Sequence, residues 1–409
     1  MPSIPINLTL VVRNLLRQPR RSAIAIAAVA FGIVALLLAN GFIEWIYDDM
    51  RESTIRAHLG HLQIVRPGYH ESGHSDPFGY LLPEDGPALD MLRREPGVTT
   101  VAPRLSFSGL ASHNDTTVSF IGEAISPGRE QGLARSLIIE KGEPLREGDE
   151  RGVLFGVGLA RNLGVDVGDT VVLLVTKRAG GVNAAELEVR GLFSTISKAY
   201  DDSALRLPID VARPLLGARG AHTWMVLLDD TNRTDAVAAG LAARMPAKEF
   251  EVVPWHHLAD FYNKTVALFS RQVLVIRVII GAIIVLSITN TMMMSVMERT
   301  GEIGTSMALG APRRRILSFF ISEGVLLGLV GGVIGVVLGV ALAAAISAIG
   351  IPMPPPPGMA KGFTGQILVT PRLTIESLAL AVVTALAASV YPAWKASRMA
   401  VVDALRHNR

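Results

Sequence analysis

The stretch HESGH, residues 70–74, fits the pattern H-E-x-x-H with which zinc metalloproteases hold their metal. That chemistry needs a helix, because the i, i+4 spacing then brings both histidines to one face. A glycine inside the motif and Pro77 after it disfavour such a helix. His58 and His61 could complete a metal cluster, but a solvated, histidine-rich loop is the simpler interpretation. We therefore predict no metal site.

Other patterns of catalytic chemistry are missing from the sequence. It contains no G-x-x-x-x-G-K-[ST], the loop that cradles nucleotide phosphates, and no G-x-S-x-G, which would carry a nucleophilic serine. The stretch GVGLARNLG lacks the glycine spacing of a dinucleotide site. The chain has no cysteine, which excludes disulfides and thiolate metal sites. We expect no catalytic residue and no cofactor in this chain.

Half of the 409 residues are hydrophobic, and they are unevenly distributed. A bilayer core of about 30 Å needs roughly 20 apolar residues in a helix. Four segments meet that length: 23–43, 273–296, 318–350 and 373–394. The first is longer than the apolar part of a cleavable signal peptide, so we interpret it as an anchor that stays. The fold class predicted for these segments is an α-helical membrane protein with four transmembrane helices.

Basic residues predict the orientation of these spans, because they are enriched in short cytoplasmic segments. Arginine and lysine are concentrated in residues 1–22, 297–317 and 395–409, which we place in the cytoplasm. An apolar helical stripe in the first of these segments predicts a helix lying at the membrane surface. The large segment 44–272 and the proline-rich loop 351–372 are then external. The net charge of +3 reflects this topology and gives no reason to expect nucleic acid.

The external segment 44–272 has similar ends and a different middle. Residues 44–105 and 221–262 each show a strand, a helix that ends at a proline, and a second strand. Two such halves are typical of a split, ferredoxin-type α/β layer. Residues 106–220 are richer in strand patterns, and we interpret them as an inserted, mostly β subdomain. The expected fold is therefore a large α+β domain attached to four spans.

The polar stretch MERTGEIGTSMALGAPRRRIL separates the second and third spans. Residues 302–309 favour a short helix, Gly310 is placed to end it, and Pro312 to begin the next helix. The few apolar side chains, such as Leu309, are too few to anchor this helix in lipid. They are enough to press on another protein, so a short helix joined to two spans would act as a mechanical lever. A plain turn is the alternative, but it would need far fewer residues.

The third span carries two overlapping rows of glycine at every fourth position. Small residues at this spacing let membrane helices approach closely, either within the chain or between two copies. The six positions are Gly324, Gly328 and Gly332 in one row and Gly331, Gly335 and Gly339 in the other. The alternative interpretation is that glycine is simply common in membrane helices.

Several stretches resemble one family. MERTGEIGTSMALGAPRRRILSFFISEGVLLGLVGGVIGVVLG and YPAWKASRMAVVDALRH resemble the FtsX-like permease domain of ABC transporters. GVGLARNLGVDVGDTVVLL and DDSALRLPIDVARPLLG are similar to the MacB-like periplasmic core domain. The order of one span, one large external domain and three spans matches across nearly the whole chain. Within the family, the chain resembles the lipoprotein-releasing permeases in length and layout.

This resemblance implies a multi-pass permease of the bacterial inner membrane that pairs with a separate ABC ATPase dimer, which holds ATP and Mg²⁺. A second permease copy or paralogue, membrane lipids and a periplasmic carrier or adaptor are further implied partners. The external domain would combine a porter-like layer with an inserted sabre-like subdomain. The short cytoplasmic helix would be the coupling helix seated on the ATPase. Its implied contact residues are Glu298, Arg299, Glu302, Ile303, Gly304, Met307, Leu309, Gly310 and Arg313.

Such transporters are similar to mechanotransmitters, in which ATP binding moves the external domains. A cavity between the first two spans would suit acyl chains, and its candidate lining is Phe31, Leu36, Phe42, Ile279 and Ile283. Plain contact with lipid is equally compatible with each of these residues. Three functions follow: release of lipoproteins or lipids from the outer leaflet, tripartite efflux of drugs, toxins or peptides, and a signalling lever that controls a periplasmic enzyme.

Overall fold

The computed structural model describes residues 13, 19–73, 76–130, 137–195, 197–354 and 363–399. Most of the predicted surface helix in 1–22, most of the proline run in 351–372 and residues 400–409 of the tail lie outside these ranges. The chain divides into two compact units. The membrane unit comprises 1–47, 266–352 and 364–409, and the α/β unit comprises 48–265 and 353–363.

The described helices and strands follow one another along both units. The helices are α1 (Pro19–Thr54), α2 (Tyr69–Ser72), α3 (Pro87–Arg93), α4 (Val157–Leu163), α5 (Lys198–Asp201), α6 (Ile209–Leu216), α7 (Thr234–Arg244), α8 (Trp255–Leu258), α9 (Asp260–Glu298), α10 (Thr300–Ala308), α11 (Arg313–Ile349) and α12 (Pro371–Ser397). The strands are β1 (Leu62–Val65), β2 (Val98–His113), β3 (Thr116–Ile125), β4 (Ile138–Gly142), β5 (Gly152–Gly156), β6 (Thr170–Thr176), β7 (Val182–Ser194), β8 (Ala204–Pro208), β9 (Thr223–Leu228), β10 (Glu251–Pro254), β11 (Ile351–Met353) and β12 (Phe363–Gly365).

Four helices, α1, α9, α11 and α12, are long and apolar enough to cross a membrane. Two of them continue well beyond the apolar segments read from the sequence. Helix α9 has 39 residues, about 58 Å of helix against a hydrocarbon core of about 30 Å. Hydropathy identifies only the apolar residues of a helix that can lie in lipid, so it does not show where the helix begins and ends. The polar extension of α9 includes a local i,i+4 ion pair, in which Lys264 Nζ donates to Asp260 Oδ2 at 2.8 Å, and such pairs add a little to helix stability.

Within the membrane unit, the glycine rows of α11 face two different helices. A side chain at Gly328 would overlap the Cβ of Ala385 on α12, and Gly324 and Gly332 meet the same helix. A Cβ at Gly335 would lie 2.8 Å from the carbonyl oxygen of Ala30 on α1. Gly331 and Gly339 also meet α1. Helix α11 is therefore packed between α1 and α12 within one chain, along its two glycine rows.

The α/β unit contains the split layer expected from the two similar ends of the external segment. Strands β10, β1, β9 and β2 are neighbours in that order, and all three pairings are antiparallel. Helix α3 connects β1 to β2, and α7 connects β9 to β10. This is the β-α-β-β-α-β arrangement of a ferredoxin-type layer, with β3–β8 inserted between its halves. Every residue of β1 and of β9 is buried, as expected for central strands.

The inserted subdomain begins inside a strand. Strand β2 pairs with β9 as far as Arg104, and from Leu105 onward it pairs with β3. Beyond it the strands run in the order β3, β8, β5, β7 and β4, with β6 pairing both β2 and β7. The sequence pattern placed the start of the insertion at residue 106, next to this change of partner. The two subdomains thus share one uninterrupted strand.

Buried charges stand next to this change of partner. Arg104 Nε donates to Glu130 Oε1 at 2.7 Å, and Arg206 Nη2 lies 3.0 Å from Glu123 Oε2. All four residues are at most 8% exposed. Two arginines and two glutamates cancel in net charge, which is the condition under which buried ions are tolerated.

Candidate coupling site

The polar stretch between the second and third spans contains helix α10, which is separated from α9 by a single residue, Arg299. The sequence pattern placed this helix at 302–309, and the structure places it at Thr300–Ala308. Gly310 follows in the left-handed region with φ of 93°, where glycine is favoured. Pro312 then caps the start of α11. These short junctions leave α10 little freedom relative to the two helices that flank it.

One face of α10 packs on the membrane unit. Ile303 is 6% exposed and belongs to the buried cluster that includes Val296, Ile316 and Phe320. Gly304 is buried beside it, and Met307 is half-buried against the same cluster. Burying an isoleucine contributes about 1.5–3 kcal/mol, so this contact holds the helix in place. These three predicted contact residues face their own chain.

The end of α10 presents an apolar residue to solvent. Leu309 is 85% exposed, and Glu302, Gly310 and Arg313 are exposed as well. Single exposed apolar residues are common on protein surfaces, and Leu309 lies just after the end of α10, where it is accessible to another protein. The outward residues of the site are therefore one large apolar side chain, a glycine and two charged side chains.

Two ion pairs fix the base of the site. Arg299 Nη1 lies 3.5 Å from Glu323 Oε2, and their side chains are 11% and 7% exposed. Arg21 Nη1 is hydrogen-bonded to Glu298 Oε1 and connects α1 to the end of α9. Sequence reasoning missed Glu323, although a lone acid in an apolar run is itself a signal that a partner is needed.

A groove of about 360 Å³ runs beside α10. Arg299, Glu302 and Ser306 border it on one side, and Arg315, Ile316 and Phe319 on the other. The combination of an apolar floor with charged edges suits a protruding side chain of another protein. The groove and Leu309 together give the site one concave and one convex feature.

The nine predicted coupling residues thus divide into three groups. Ile303, Gly304 and Met307 support the helix from within, and Glu298 and Arg299 are ion-paired at its base. The outward group is Glu302, Leu309, Gly310 and Arg313.

The five residues proposed to line an acyl-chain cavity lie in different environments. Leu36 is 2% exposed in the core of the membrane unit, and half-buried Phe42 stacks on Trp45. Phe31, Ile279 and Ile283 are 75%, 53% and 54% exposed. Phe31 and Leu36 differ in exposure because positions five residues apart lie on different sides of helix α1.

Two further features of the structure concern charged residues. Arg277 and Glu376, the ionisable residues near the outer ends of their spans, pair with each other: Arg277 Nη2 donates to Glu376 Oε2 at 3.1 Å. The HESGH stretch forms one helical turn, Tyr69–Ser72, and His74 lies outside the described residues. Within the described ranges, no three His, Cys, Asp or Glu side chains are grouped to hold a metal ion.

Comparison with known families covers most of the chain. Residues 22–244 match the model of the MacB-like periplasmic core domain, and residues 274–401 match that of the FtsX-like permease C-terminal domain. The chain belongs to this family of ABC transporter permeases. The four apolar helices and the periplasmic-type domain of the permease fit a protein of the inner membrane.

Three relatives illustrate the range of the family. An uncharacterized ABC transporter permease of Methanocaldococcus jannaschii is 29% identical over 47% of this chain and 48% of its own length. The lipoprotein-releasing system transmembrane protein LolC of Neisseria meningitidis is 24% identical over 75% of this chain and 73% of LolC. The macrolide export ATP-binding/permease protein MacB of Rhodospirillum rubrum is 27% identical over 96% of this chain. That match spans only 59% of MacB, and the first match spans about half of the archaeal permease.

Proposed function

We propose that this permease moves or releases lipoproteins or lipid-like amphiphiles from the outer leaflet of the membrane, driven by a separate ATPase. The observation that carries the proposal is the coupling site. Helix α10 is fixed to the membrane unit by Ile303 and by its short junctions, and it presents Leu309 at 85% exposure. A helix held on one face and open on the other transmits a push from a bound protein into α9 and α11.

The partner in this proposal is a dimer of ABC ATPase subunits, which binds ATP and Mg²⁺. The apolar Leu309 and the cations Arg313, Arg314 and Arg315 would contact it from the cytoplasm. Both chain termini then lie in the cytoplasm and the α/β unit outside, which agrees with the distribution of arginine. A second permease copy or paralogue would complete the transporter.

The proposed class of cargo rests on the large apolar side chains that are exposed on the membrane-spanning helices. Phe31, Ile279 and Ile283 give α1 and α9 large apolar side chains that one chain leaves uncovered. A second permease placed against them would enclose a space lined by hydrocarbon, which suits acyl chains better than a hydrophilic solute. The match to LolC, which covers three quarters of both chains, supports the same class of cargo.

Macrolide export is the second candidate, because the match to MacB covers 96% of this chain. The two candidates differ in what stimulates ATP hydrolysis. The permease with its ATPase would be reconstituted in nanodiscs and mixed with a triacylated lipoprotein, the same protein without its acyl chains, or a macrolide. We expect the triacylated form to raise the rate of hydrolysis severalfold and its deacylated form to leave the rate unchanged.

The other outcomes would contradict the proposed cargo. Stimulation by the macrolide alone would favour efflux of drugs, toxins or peptides. No response to any of the three compounds would favour the signalling lever, in which the α/β unit acts on a periplasmic enzyme. Equal stimulation by the acylated and deacylated forms would show that the acyl chains are not recognised.

A further inference from the structure

The α/β unit has a second concave feature, which we name the basic groove. It has a volume of about 500 Å³, and its charged lining residues are Arg66, Arg178, Arg219 and Lys248. Phe78 and Tyr80 form part of its wall. All the charged residues in the lining are cations, so the groove has a positive potential, and its aromatic wall offers apolar contact.

The cations of the basic groove are available to a ligand. Within the described ranges, Arg178, Arg219 and Lys248 are exposed and form no ion pair. Two acids near the groove, Glu84 and Glu251, have partners of their own. Glu84 Oε1 lies 2.5 Å from Arg213 Nη1, and Glu251 Oε2 accepts from the backbone N–H of Gly68 at 3.1 Å. No carboxylate therefore neutralises the groove from within its lining.

The groove is also held in shape. Arg66 donates from Nε to the carbonyl oxygen of Leu81 at 3.3 Å and from Nη1 to that of Glu249 at 3.2 Å. These two hydrogen bonds connect the three chain segments that contain Arg66, Leu81 and Glu249. The backbone N–H of Arg178 donates to the carbonyl oxygen of Leu216 at 2.9 Å, which attaches the turn of the β6–β7 hairpin to the segment after it. Phe78 packs against the main core of the unit.

Guanidinium and ammonium groups around one space are the usual recognition elements for phosphate, because each guanidinium matches two phosphate oxygens. An aromatic wall beside them accommodates the apolar remainder of an ester. We propose that the basic groove binds the phosphate group of a phosphate monoester. The ligand is either a lipid headgroup or a free phosphate compound, and the two share this chemistry.

The test uses the full-length permease in phosphatidylcholine nanodiscs, with empty discs as the blank for calorimetric titration. The probes are dihexanoyl phosphatidic acid, glycerol 3-phosphate, sodium phosphate and dihexanoyl phosphatidylcholine. The groove variant carries Arg178→Glu, Arg219→Glu and Lys248→Glu. The matched control carries Arg94→Glu, Arg151→Glu and Arg161→Glu, three exposed arginines outside the lining, so that both variants change the net charge equally.

We expect the wild-type permease to bind phosphatidic acid at least tenfold more tightly than phosphatidylcholine. The groove variant should bind phosphatidic acid at least tenfold more weakly than wild type, and the control within twofold of it. If sodium phosphate or glycerol 3-phosphate binds as tightly and with the same dependence on the groove, the ligand is a free phosphate compound. If only phosphatidic acid binds, it is a lipid headgroup.

Three results would overturn the proposal: phosphatidic acid, glycerol 3-phosphate and sodium phosphate all fail to bind the wild type, the groove variant keeps wild-type affinity, or the control loses as much affinity as the groove variant. Should charge reversal prevent folding, glutamine at the same three positions removes the charges with less repulsion and gives the same comparison. Binding is measured without the ATPase or transport. A negative binding result would therefore leave the proposed function unaffected. Equally, a failure of the proposed function would leave the binding result unaffected.

Discussion

Leu309 and Ile303 show how two apolar residues of one short segment take different roles. Ile303 is 6% exposed and fixes α10 to the membrane unit, whereas Leu309 is 85% exposed just beyond the end of the same helix. The sequence placed both among the coupling residues. Their burial separates the residue that supports the site from the residue that is free to contact a partner.

Replacing Leu309 with aspartate should weaken binding of the ATPase at least tenfold, because covering a leucine contributes about 1.5–3 kcal/mol and burying a carboxylate opposes association. The measurement is the amount of ATPase that co-purifies with the permease, together with the stimulated rate of hydrolysis. Ile349→Asp is the matched control, since Ile349 is 87% exposed at the other end of α11. Equal losses in both variants would refute a specific role for Leu309.

His61 is a residue whose environment fixes its proton. Its Nδ1 accepts from the backbone N–H of Leu228 at 3.0 Å, so in the neutral ring the proton is on Nε2. Nε2 donates to Thr231 Oγ1 at 3.0 Å, and Thr231 Oγ1 donates to Glu52 Oε1 at 2.8 Å. Burial of the ring lowers the pKa of His61 from 6.5 to about 4.

This lowered pKa predicts a loss of stability in acid. Between pH 6.5 and about 4 the unfolded chain protonates His61 and the folded chain does not, so stability falls as the pH falls through that window. Below about pH 4 this contribution no longer changes. Thermal unfolding of the wild type and of His61→Gln is measured between pH 7.5 and 4. The difference between the two proteins isolates the contribution of His61, because the carboxylates titrate in both. The wild type should lose more stability than the variant, and parallel curves would contradict the assignment.

At the scale of elements, the two glycine rows of α11 fix which helices it contacts. The four-residue spacing of the glycines predicts close packing of α11 against other helices. Which helices it contacts depends on the angle between the two glycine rows around the helix axis. Gly328 and Gly332 are one position out of phase with Gly331 and Gly335, so the rows point about 100° apart around the helix. This divergence lets one helix contact α1 and α12 at once.

Gly328→Ala should destabilise the membrane unit by about 1–3 kcal/mol, because the added methyl group overlaps Ala385 and must push α12 away. Gly281→Ala is the control, since its Cβ would meet Thr384 at an ordinary 3.5 Å. Thermal unfolding of both variants in detergent measures the difference. A Gly328 variant as stable as the Gly281 variant would show that the α11–α12 contact is looser than described.

At the scale of the whole molecule, features that depend on local sequence could be predicted, whereas features that depend on tertiary contacts could not. The four spans and the split layer follow from periodicity and hydropathy, which depend on neighbours in sequence. The Arg299–Glu323 pair does not, because each residue alone looks like an ordinary helix-end charge or a stray acid. The basic groove was also unpredictable, since Arg66, Arg178 and Lys248 are each about 70 residues or more apart in sequence.

Strand β2 has a consequence for how this architecture can change during evolution. A subdomain joined by loops can be gained, lost or lengthened without disturbing its host. Here the joint is a strand, and its pairing runs without a register shift from Thr100 to His113, so side chains alternate between its two faces there. A single inserted or deleted residue would exchange inside for outside in every position beyond it. Length variation among homologous domains should therefore avoid this strand and accumulate at the turns farther out.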